Sequence, residues 1–427
     1  MFRSLKTLLG RSIGIAGLIL AALPLWAGQL DAAEHRADLS HLVVIGDSLS
    51  AGFQNFSLYD SDSVMPPAPP GGQRHGFAAL IAQQANVDLS LPLIQYPGFP
   101  PVLTLEGGVV SRASGVGTRE LQTVSVQTHN LSVPGFDVLD ALVHKVNLPN
   151  LVNNPQSASF EDVLAVQILD PALLLGSPPS GCGVIPRPNG DILFSQALCA
   201  IELRPTTILI SIGNGDALQS VTLGIAPTDT TKFAKYYELL LYALSHYTKA
   251  NIVVSNIPDV AGLPFLVSYP EFEAKCGGPP LNAGPNDYVV PDLTAPVFNL
   301  CTNYSVRPAS LIAQAETAVR DYNVIIAGAA AKFGAVVVDV NTLFAGIAKN
   351  GYDVAGHHLT NQYLGGIFSL DAVHPTNTGY AILANAFIDR MNCEFHTNLP
   401  PVNIEQIAVA DPLVCAVGSP DPSCPTP

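Results

Sequence analysis

The sequence is poor in charged residues of either sign. They make up 12% of its 427 residues, and 19 lysines and arginines face 34 aspartates and glutamates, which gives a formal net charge of −15. This balance argues against a nucleic-acid-binding protein, because contact with phosphate backbones depends on clustered basic side chains. A hydrophobic fraction of 48% excludes a largely disordered chain and predicts an extensive buried core.

Cysteine is absent from the first 181 residues, and all seven cysteines follow in the rest of the chain. None has the CxxC spacing typical of zinc sites, so we interpret them as structural disulfides and expect no metal site. Two local pairs are predicted, Cys182–Cys199 and Cys276–Cys301. One cysteine must remain unpaired, and three candidates compete for the third disulfide: Cys393, Cys415 and Cys424.

Long hydrophobic runs are rare, and the one near the start of the chain covers Ile13–Trp26. Its 14 residues fall short of the roughly 20 that a membrane-spanning helix needs. Arg3, Lys6 and Arg11 precede it and small residues follow it, which is the pattern of a secretory signal peptide. We predict cleavage between residues 27 and 33, export to the periplasm or beyond, and no membrane span in the mature chain. An uncleaved anchor is the alternative.

The rest of the sequence alternates short β-branched runs with longer amphipathic stretches. Such alternation is typical of a parallel sheet with helices on both faces. We therefore predict an α/β fold, a three-layer α/β/α sandwich around a mostly parallel, five-stranded sheet. The predicted strands span residues 41–46, 123–128, 206–213, 251–257 and 334–340. The predicted helices span residues 136–146, 231–249, 309–333 and 376–391.

Three segments rich in proline and glycine interrupt this pattern, at about residues 59–122, 170–204 and 258–308. Loops of this length in a compact domain are usually functional or inserted. We therefore predict a single domain over residues 34–397 that carries three insertions. A proline-rich tail over residues 398–427 is expected to pack on its surface, tied by a disulfide.

The strongest chemical signal is an apolar strand that ends in a tight polar turn, Gly46-Asp47-Ser48-Leu49. A serine at the carboxyl end of a parallel strand lies at the crevice where ligands bind in open α/β sheets. If a helix begins there, its backbone N–H groups point toward an anion formed in that crevice. Taken alone, Ser48 is equally well interpreted as a helix cap.

A second signal lies near the C-terminus, where Asp371 and His374 share a short loop before an apolar helical stretch. A serine nucleophile needs a base with a pKa near neutrality, and that base needs a carboxylate that holds its tautomer. Asp371 and His374 supply both groups. A lone DxxH indicates a surface loop, but its occurrence together with a strand-end serine favours a catalytic site.

The two motifs resemble the first and last sequence blocks of the GDSL (SGNH) hydrolases, a family of serine esterases and lipases with a flavodoxin-like α/β/α fold. The resemblance implies that Ser48 is the nucleophile, His374 the base and Asp371 its orienting carboxylate. It also implies an acyl-enzyme mechanism that needs no metal or organic cofactor. A GxSxG motif at residues 10–14 lies in the predicted signal peptide without a preceding strand, which argues against the α/β-hydrolase alternative.

The family's two middle blocks would complete an oxyanion hole with the N–H of Ser48. Gly135 matches the glycine of the second block, whose N–H is a donor in the family. The third block is GxND in the family, but here it reads Gly213-Asn214-Gly215-Asp216. Gly215 therefore occupies the aligned Asn position. Either Asn214 serves as the donor through an altered turn, which the flanking glycines permit, or that donor is absent.

Two further patterns are interpreted as unrelated to the site. A literal GxND at residues 284–287 has no strand before it and lies in a proline-rich stretch. His357 and His358 are adjacent, so their side chains point in different directions and make a poor chelating pair.

We therefore predict an exported serine ester hydrolase that acts on carboxylic esters. The apolar composition and the long insertions favour lipid or phospholipid acyl esters, with polysaccharide acetyl esters as an alternative. An acyltransferase would use the same site, and product analysis with an added alcohol would separate the two activities. A non-catalytic binding protein is the remaining alternative, raised by Gly215. The acyl length, the alcohol and the oligomeric state stay open.

Overall fold

A computed structural model describes residues 37–61, 71–154, 157–295, 299–416 and 418–424, so the predicted signal peptide lies outside the described residues. The strands are β1 Leu42–Gly46, β2 Leu103–Glu106, β3 Val109–Arg112, β4 His144–Val146, β5 Val184–Pro186, β6 Ile192–Phe194, β7 Thr207–Ser211, β8 Asn251–Ser255, β9 Val267–Ser268, β10 Tyr288–Pro291, β11 Tyr304–Arg307, β12 Val336–Val338, β13 Tyr352–Val354 and β14 His357–Leu359. The α-helices are α1 Ser48–Ala51, α2 Phe77–Ala85, α3 Val138–Leu142, α4 Leu148–Asn153, α5 Phe160–Leu169, α6 Gln196–Leu203, α7 Asn214–Thr222, α8 Thr230–Tyr247, α9 Tyr269–Cys276, α10 Ala309–Phe333, α11 Val340–Asn350, α12 Asn377–Phe395 and α13 Ile404–Ala410.

The central sheet consists of four parallel strands in the order β1-β7-β8-β12. Beyond β1, the chain runs parallel to the sheet edge over residues 129–133. There Val44 pairs with Asn130, and the N–H of Val133 donates to the carbonyl oxygen of Gly46 at 3.1 Å. This extended segment occupies the fifth strand position of the predicted sheet.

Alternate residues of β1 face opposite sides of the sheet, as the pleat of a strand requires. Val43 and Ile45 are fully buried in a core shared with α3, α5, α6, α8 and α10. Leu42 and Val44 are equally buried on the other side, against α2 and α12. The sheet is therefore covered by helices on both faces, and the predicted three-layer α/β/α sandwich is confirmed.

One predicted strand is wrong, and one predicted helix is too long. Residues 123–128 form no strand; a 3-10 helix, Leu121–Thr123, leads into turns. Of their β-branched side chains, Val126 is exposed and Thr123 and Val124 are only half-buried, so the local preference for strand lacks the burial that normally fixes it. The predicted helix at 136–146 ends at Leu142, because His144–Val146 pairs with β6 instead.

The two local disulfides are confirmed, and the third joins Cys415 to Cys424. Cys393 is the unpaired cysteine. The third disulfide closes a loop within the C-terminal tail and does not attach the tail to the rest of the protein. Hydrogen bonds do so, among them the two in which the buried carboxylate of Asp411 accepts from the N–H and hydroxyl of Thr378 at 2.9 and 2.8 Å. Within the part of the chain that the structure describes, no helix combines the length and apolar character needed to cross a membrane.

Candidate active site

Ser48 is the first residue of a short helix at the carboxyl end of β1. The strand ends at Gly46, where a Cβ would lie 2.2 Å from the carbonyl oxygen of Ser211, so only glycine fits between the two strands. Asp47 caps the helix, with its carboxylate accepting the N–H of Leu49 at 3.1 Å. The strand-turn-helix geometry predicted around Ser48 is present, and the hydroxyl stands at the edge of the crevice.

The structure brings Ser48, His374 and Asp371 together across 326 residues of sequence. Nε2 of His374 lies 2.8 Å from Oγ of Ser48, and Nδ1 lies 2.9 Å from Oδ2 of Asp371. An ionised Asp371 can only accept, so Nδ1 carries the proton and Nε2 is the acceptor for the hydroxyl of Ser48. This is the arrangement that a serine nucleophile and its base require.

Asp371 is held ionised in a buried position. Burial alone would raise its pKa, but the charge and hydrogen bonds of His374 and the N–H of Val373 bring the pKa below the ordinary value of an aspartate. The N–H of Phe56 also donates to Oδ2 at 2.7 Å. Asn55, one residue earlier, accepts the N–H of Leu370 at 3.0 Å. The segment after α1 thus fixes the position of Asp371, a role that the sequence did not reveal.

Ser48 and Gly135, the predicted backbone donors, lie at the same end of the sheet. Gly135 follows the edge segment that Val133 ties to Gly46, and it has a φ of 91°, which favours glycine. Among the described residues, the N–H groups of Ser48 and Gly135 donate to no acceptor. The structure therefore brings Gly135 to the end of the sheet that carries Ser48.

The third block lies beside Asp47 and differs from the family pattern in a specific way. Nδ2 of Asn214 donates to Oδ2 of Asp47 at 2.9 Å, so the shifted asparagine side chain reaches the turn that carries Ser48. A Cβ on Gly215 would lie 2.7 Å from the carbonyl oxygen of Phe136. No side chain fits at position 215, because the loop of Gly135 packs directly against it.

Asp47 and Asp216 are buried carboxyl groups on either side of Asn214. Burial raises the pKa of Asp47 to about 6, although hydrogen bonds from Asn214 act in the opposite direction. Burial and the neighbouring Asp137 raise the pKa of Asp216 to about 8. Asp216 also accepts the N–H of Val138 at 3.0 Å. It therefore connects the third block to the loop that carries Gly135.

A cluster of phenylalanines that was not predicted from the sequence extends outward from His374. The ring of Phe53 packs on the imidazole of His374 with 4.8 Å between centroids. Phe160 meets Phe53 edge to face at 6.1 Å and stacks on Phe99 at 5.9 Å. These residues come from separate loops and helices, so no local pattern announces them. They form an aromatic cluster in which Phe53 is almost fully buried and Phe99 and Phe160 are partly exposed.

The two patterns that were predicted to be unrelated to the Ser48 site make local contacts of their own. At residues 284–287, the carboxylate of Asp287 accepts the N–H of Gly284 at 2.8 Å in a local turn. Nδ1 of His357 lies 3.4 Å from Sγ of Cys415, but that sulfur is bonded to Cys424 and offers no thiolate to a metal. His358 contacts Asp353 instead, so the two adjacent histidines face different partners.

A family described as GDSL-like Lipase/Acylhydrolase matches residues 42–387. Among solved structures, an α/β hydrolase enzyme from the metagenome of Lake Arreo, Spain, is 14% identical, with 84% of this chain and 99% of that chain covered and a TM-score of 0.36. An acetylxylan esterase from Geobacillus stearothermophilus is 12% identical, with 84% and 98% covered and a TM-score of 0.37. Because the sequence identities and TM-scores are this low, these two structures do not indicate what this chain binds. No curated protein matches the chain.

Proposed function

This chain belongs to the family of GDSL-like lipases and acylhydrolases, and on that premise we propose that it is an exported serine esterase with Ser48 as its nucleophile. That the protein is a carboxylic ester hydrolase follows from the family. The observation that supports the specific site is the continuous chain of hydrogen bonds from Asp371 through His374 to Ser48, at 2.9 and 2.8 Å.

In the proposed reaction, His374 takes the hydroxyl proton of Ser48 as Oγ attacks the ester carbonyl. Asp371 stays ionised, since its pKa is lowered, and stabilises the imidazolium that forms. His374 then gives the proton to the departing alcohol. Water then attacks the acyl carbonyl as His374 takes its proton. The bond to Oγ breaks, His374 returns the proton to Oγ of Ser48, and the acid is released. No step calls for a metal or organic cofactor.

Three donors are proposed for the oxyanion of the tetrahedral intermediate. Two are the N–H groups of Ser48 and Gly135, and the third is the side-chain amide of Asn214. One hydrogen of that amide is bonded to Asp47, and a primary amide has a second hydrogen to donate. Asp47 would then orient the amide, and Gly215 would be needed for packing and not for donation.

The proposed substrate is an ester with an apolar group next to the carbonyl. The partly exposed rings of Phe99 and Phe160, which pack with Phe53 beside His374, support this proposal, because aromatic side chains bury hydrocarbon favourably. Lipid and phospholipid acyl esters belong to this class. Three disulfides are compatible with export, since such bonds persist in oxidising compartments.

The test is hydrolysis of p-nitrophenyl acetate, butyrate and palmitate by the mature chain, beside Ser48→Ala and the matched control Ser40→Ala. Ser40 is an exposed serine that precedes the same strand. We expect Ser48→Ala to lose at least about a thousandfold in kcat and Ser40→Ala to retain it. A folded Ser48→Ala protein with parental activity would contradict the assignment. Adding an alcohol and analysing the products would detect acyl transfer.

A further inference from the structure

The side chain of His144 joins helices α3 and α5 through two carboxylates. Its Nδ1 lies 2.8 Å from Oδ1 of Asp140, and its Nε2 lies 2.9 Å from Oδ1 of Asp162. Because a carboxylate can only accept a hydrogen bond, both ring nitrogens donate and the side chain is an imidazolium. The ring is largely buried, so the two hydrogen bonds form a charged link between the helices.

Both of these carboxylates belong to elements that hold Gly135, the proposed oxyanion donor. Oδ2 of Asp140 accepts the N–H of Asp137, two residues after Gly135, at 3.2 Å. Asp162 follows Glu161 in the first turn of α5, and a Cβ on Gly135 would lie 2.7 Å from Cγ of Glu161. The backbone of Gly135 therefore continues into α3 and packs on α5, and the imidazolium ties these two helices together.

The imidazole also contacts the residue that follows Gly135 directly. The ring of His144 packs on the ring of Phe136 with 4.5 Å between centroids, and Phe136 is fully buried. The carbonyl oxygen of Phe136 lies in turn against Gly215 of the third block. A shift of the imidazole is therefore expected to move the peptide groups on which the oxyanion hole depends.

We propose that His144 is a positioning residue of the oxyanion hole, whose imidazolium keeps the N–H of Gly135 in place, so that turnover falls when this charge is lost. His144 takes no part in the proton transfers of the proposed reaction and acts only through α3, α5 and Phe136. This inference rests on the proposed function, since it assigns the control of one donor in the same site.

The charged groups around His144 are mainly acidic and come from both helices. Besides Asp140 and Asp162, Asp137 at the start of α3 interacts with the imidazolium. The next residue on β4, Lys145, forms an ion pair of its own with a carboxylate at 2.8 Å. The residue of β6 that pairs with His144 is a phenylalanine. The surroundings of the ring therefore favour its protonated form.

Loss of this proton breaks one of the two links, because a neutral imidazole has a single N–H. Burial alone would lower the pKa of His144, but Asp140 and Asp162 raise it to about 9. The value of kcat should therefore fall as pH rises through about 9. Asp216, whose pKa is raised to about 8, also loses a proton in this range. Substitutions next to His144 are therefore needed to assign the alkaline fall.

The experiment measures kcat and KM for p-nitrophenyl butyrate from about pH 6 to about pH 10, with circular dichroism at each pH to verify folding. Asp162→Asn removes one carboxylate that favours the imidazolium, so the midpoint of the alkaline fall should move down by about one pH unit or more. His144→Gln should lower kcat at about pH 7 by about tenfold or more and change KM by less than about threefold. Adding Asp162→Asn to His144→Gln should leave the pH profile unchanged.

The matched control is Asp353→Asn, which removes the carboxylate of another His–Asp pair, 2.6 Å from His358 in the β13–β14 hairpin. It should leave kcat and the midpoint unchanged. The inference is overturned if the parent shows no alkaline fall, or if its midpoint stays the same in Asp162→Asn. Because Asp162→Asn keeps the ring in place, it decides the matter even if His144→Gln does not fold. If the parent hydrolyses no ester, or if hydrolysis survives Ser48→Ala, the proposed function itself fails.

Discussion

Replacing Asn214 with alanine tests the most unusual part of the proposed site. Nδ2 of Asn214 donates to Asp47 at 2.9 Å, and the second hydrogen of the amide is the proposed third donor to the oxyanion. Loss of one such donor costs roughly 100- to 1,000-fold in kcat, or about 2.7–4 kcal/mol. We expect a fall of this size for p-nitrophenyl butyrate, with KM changed by less than about threefold, because the donor acts mainly on the transition state.

The same substitution should destabilise the protein in a pH-dependent way. Asp47 loses its side-chain donor in a fully buried position, which costs about 1–3 kcal/mol while the carboxyl is ionised. Burial raises its folded pKa to about 6, above the unfolded value, so Asp47 favours folding when protonated and this contribution is lost as pH rises through about 6. Urea unfolding should therefore show a larger loss for Asn214→Ala at about pH 8 than at about pH 5.

Retention of kcat within about twofold in a folded Asn214→Ala protein would refute Asn214 as an oxyanion donor. The matched variant adds Gly215→Asn, which restores asparagine at the family's position. A Cβ there would lie 2.7 Å from the carbonyl oxygen of Phe136, so we expect the double variant to recover no activity. Recovery would mean that the loop of Gly135 adapts and that position 215 is the donor position after all.

Two further predictions concern charge. Asp371→Asn keeps the shape of the side chain but loses the charge that holds the tautomer of His374, so steady-state kinetics should show a fall in kcat of roughly 10⁴-fold; near-parental turnover would contradict this role. Burial alone would lower the pKa of His144, but Asp140 and Asp162 raise it to about 9. Its stabilising contribution is complete below about pH 6.5 and is lost as pH rises through about 9. Urea unfolding should show a decline on the order of 2 kcal/mol over that interval that is absent from His144→Gln.

The sequence predicted the parts of the fold that depend on buried, regular elements. The strands at Leu42–Gly46 and Asn251–Ser255 are continuous apolar runs because both faces of the sheet are covered. Helices α8 and α10 were predicted to within two residues at each end. Ser48, Asp371 and His374 were also predicted to lie together, because a serine nucleophile needs a base and a carboxylate within reach and because their motifs resemble the first and last GDSL blocks. Their hydrogen bonds agree with that expectation.

The features of the fold and of the candidate site that the sequence did not reveal depend on contacts between distant segments. Residues 123–128 have the composition of a strand but are for the most part exposed or half-buried, and the chain bonds to the sheet edge only from His129 onward. Phe53 packs on His374, and Phe160 and Phe99 join Phe53 only through the packing of distant segments. Glu161 would be interpreted from sequence as a favourable acidic residue in a helix's first turn. Its contact with Gly135 depends on the fold and has no signature in the sequence.

The altered third block shows why a motif has to be interpreted together with its packing. In an alignment, Gly215 stands where the family has the asparagine donor, which suggests a weakened or inactive site. In the structure, Gly215 leaves no room for a side chain, because the carbonyl oxygen of Phe136 lies where a Cβ would be. The close approach lets Asp216 hold the N–H of Val138, which fixes the loop of Gly135. The shift of asparagine to position 214 is therefore compatible with three donors, provided that Asp47 orients the amide.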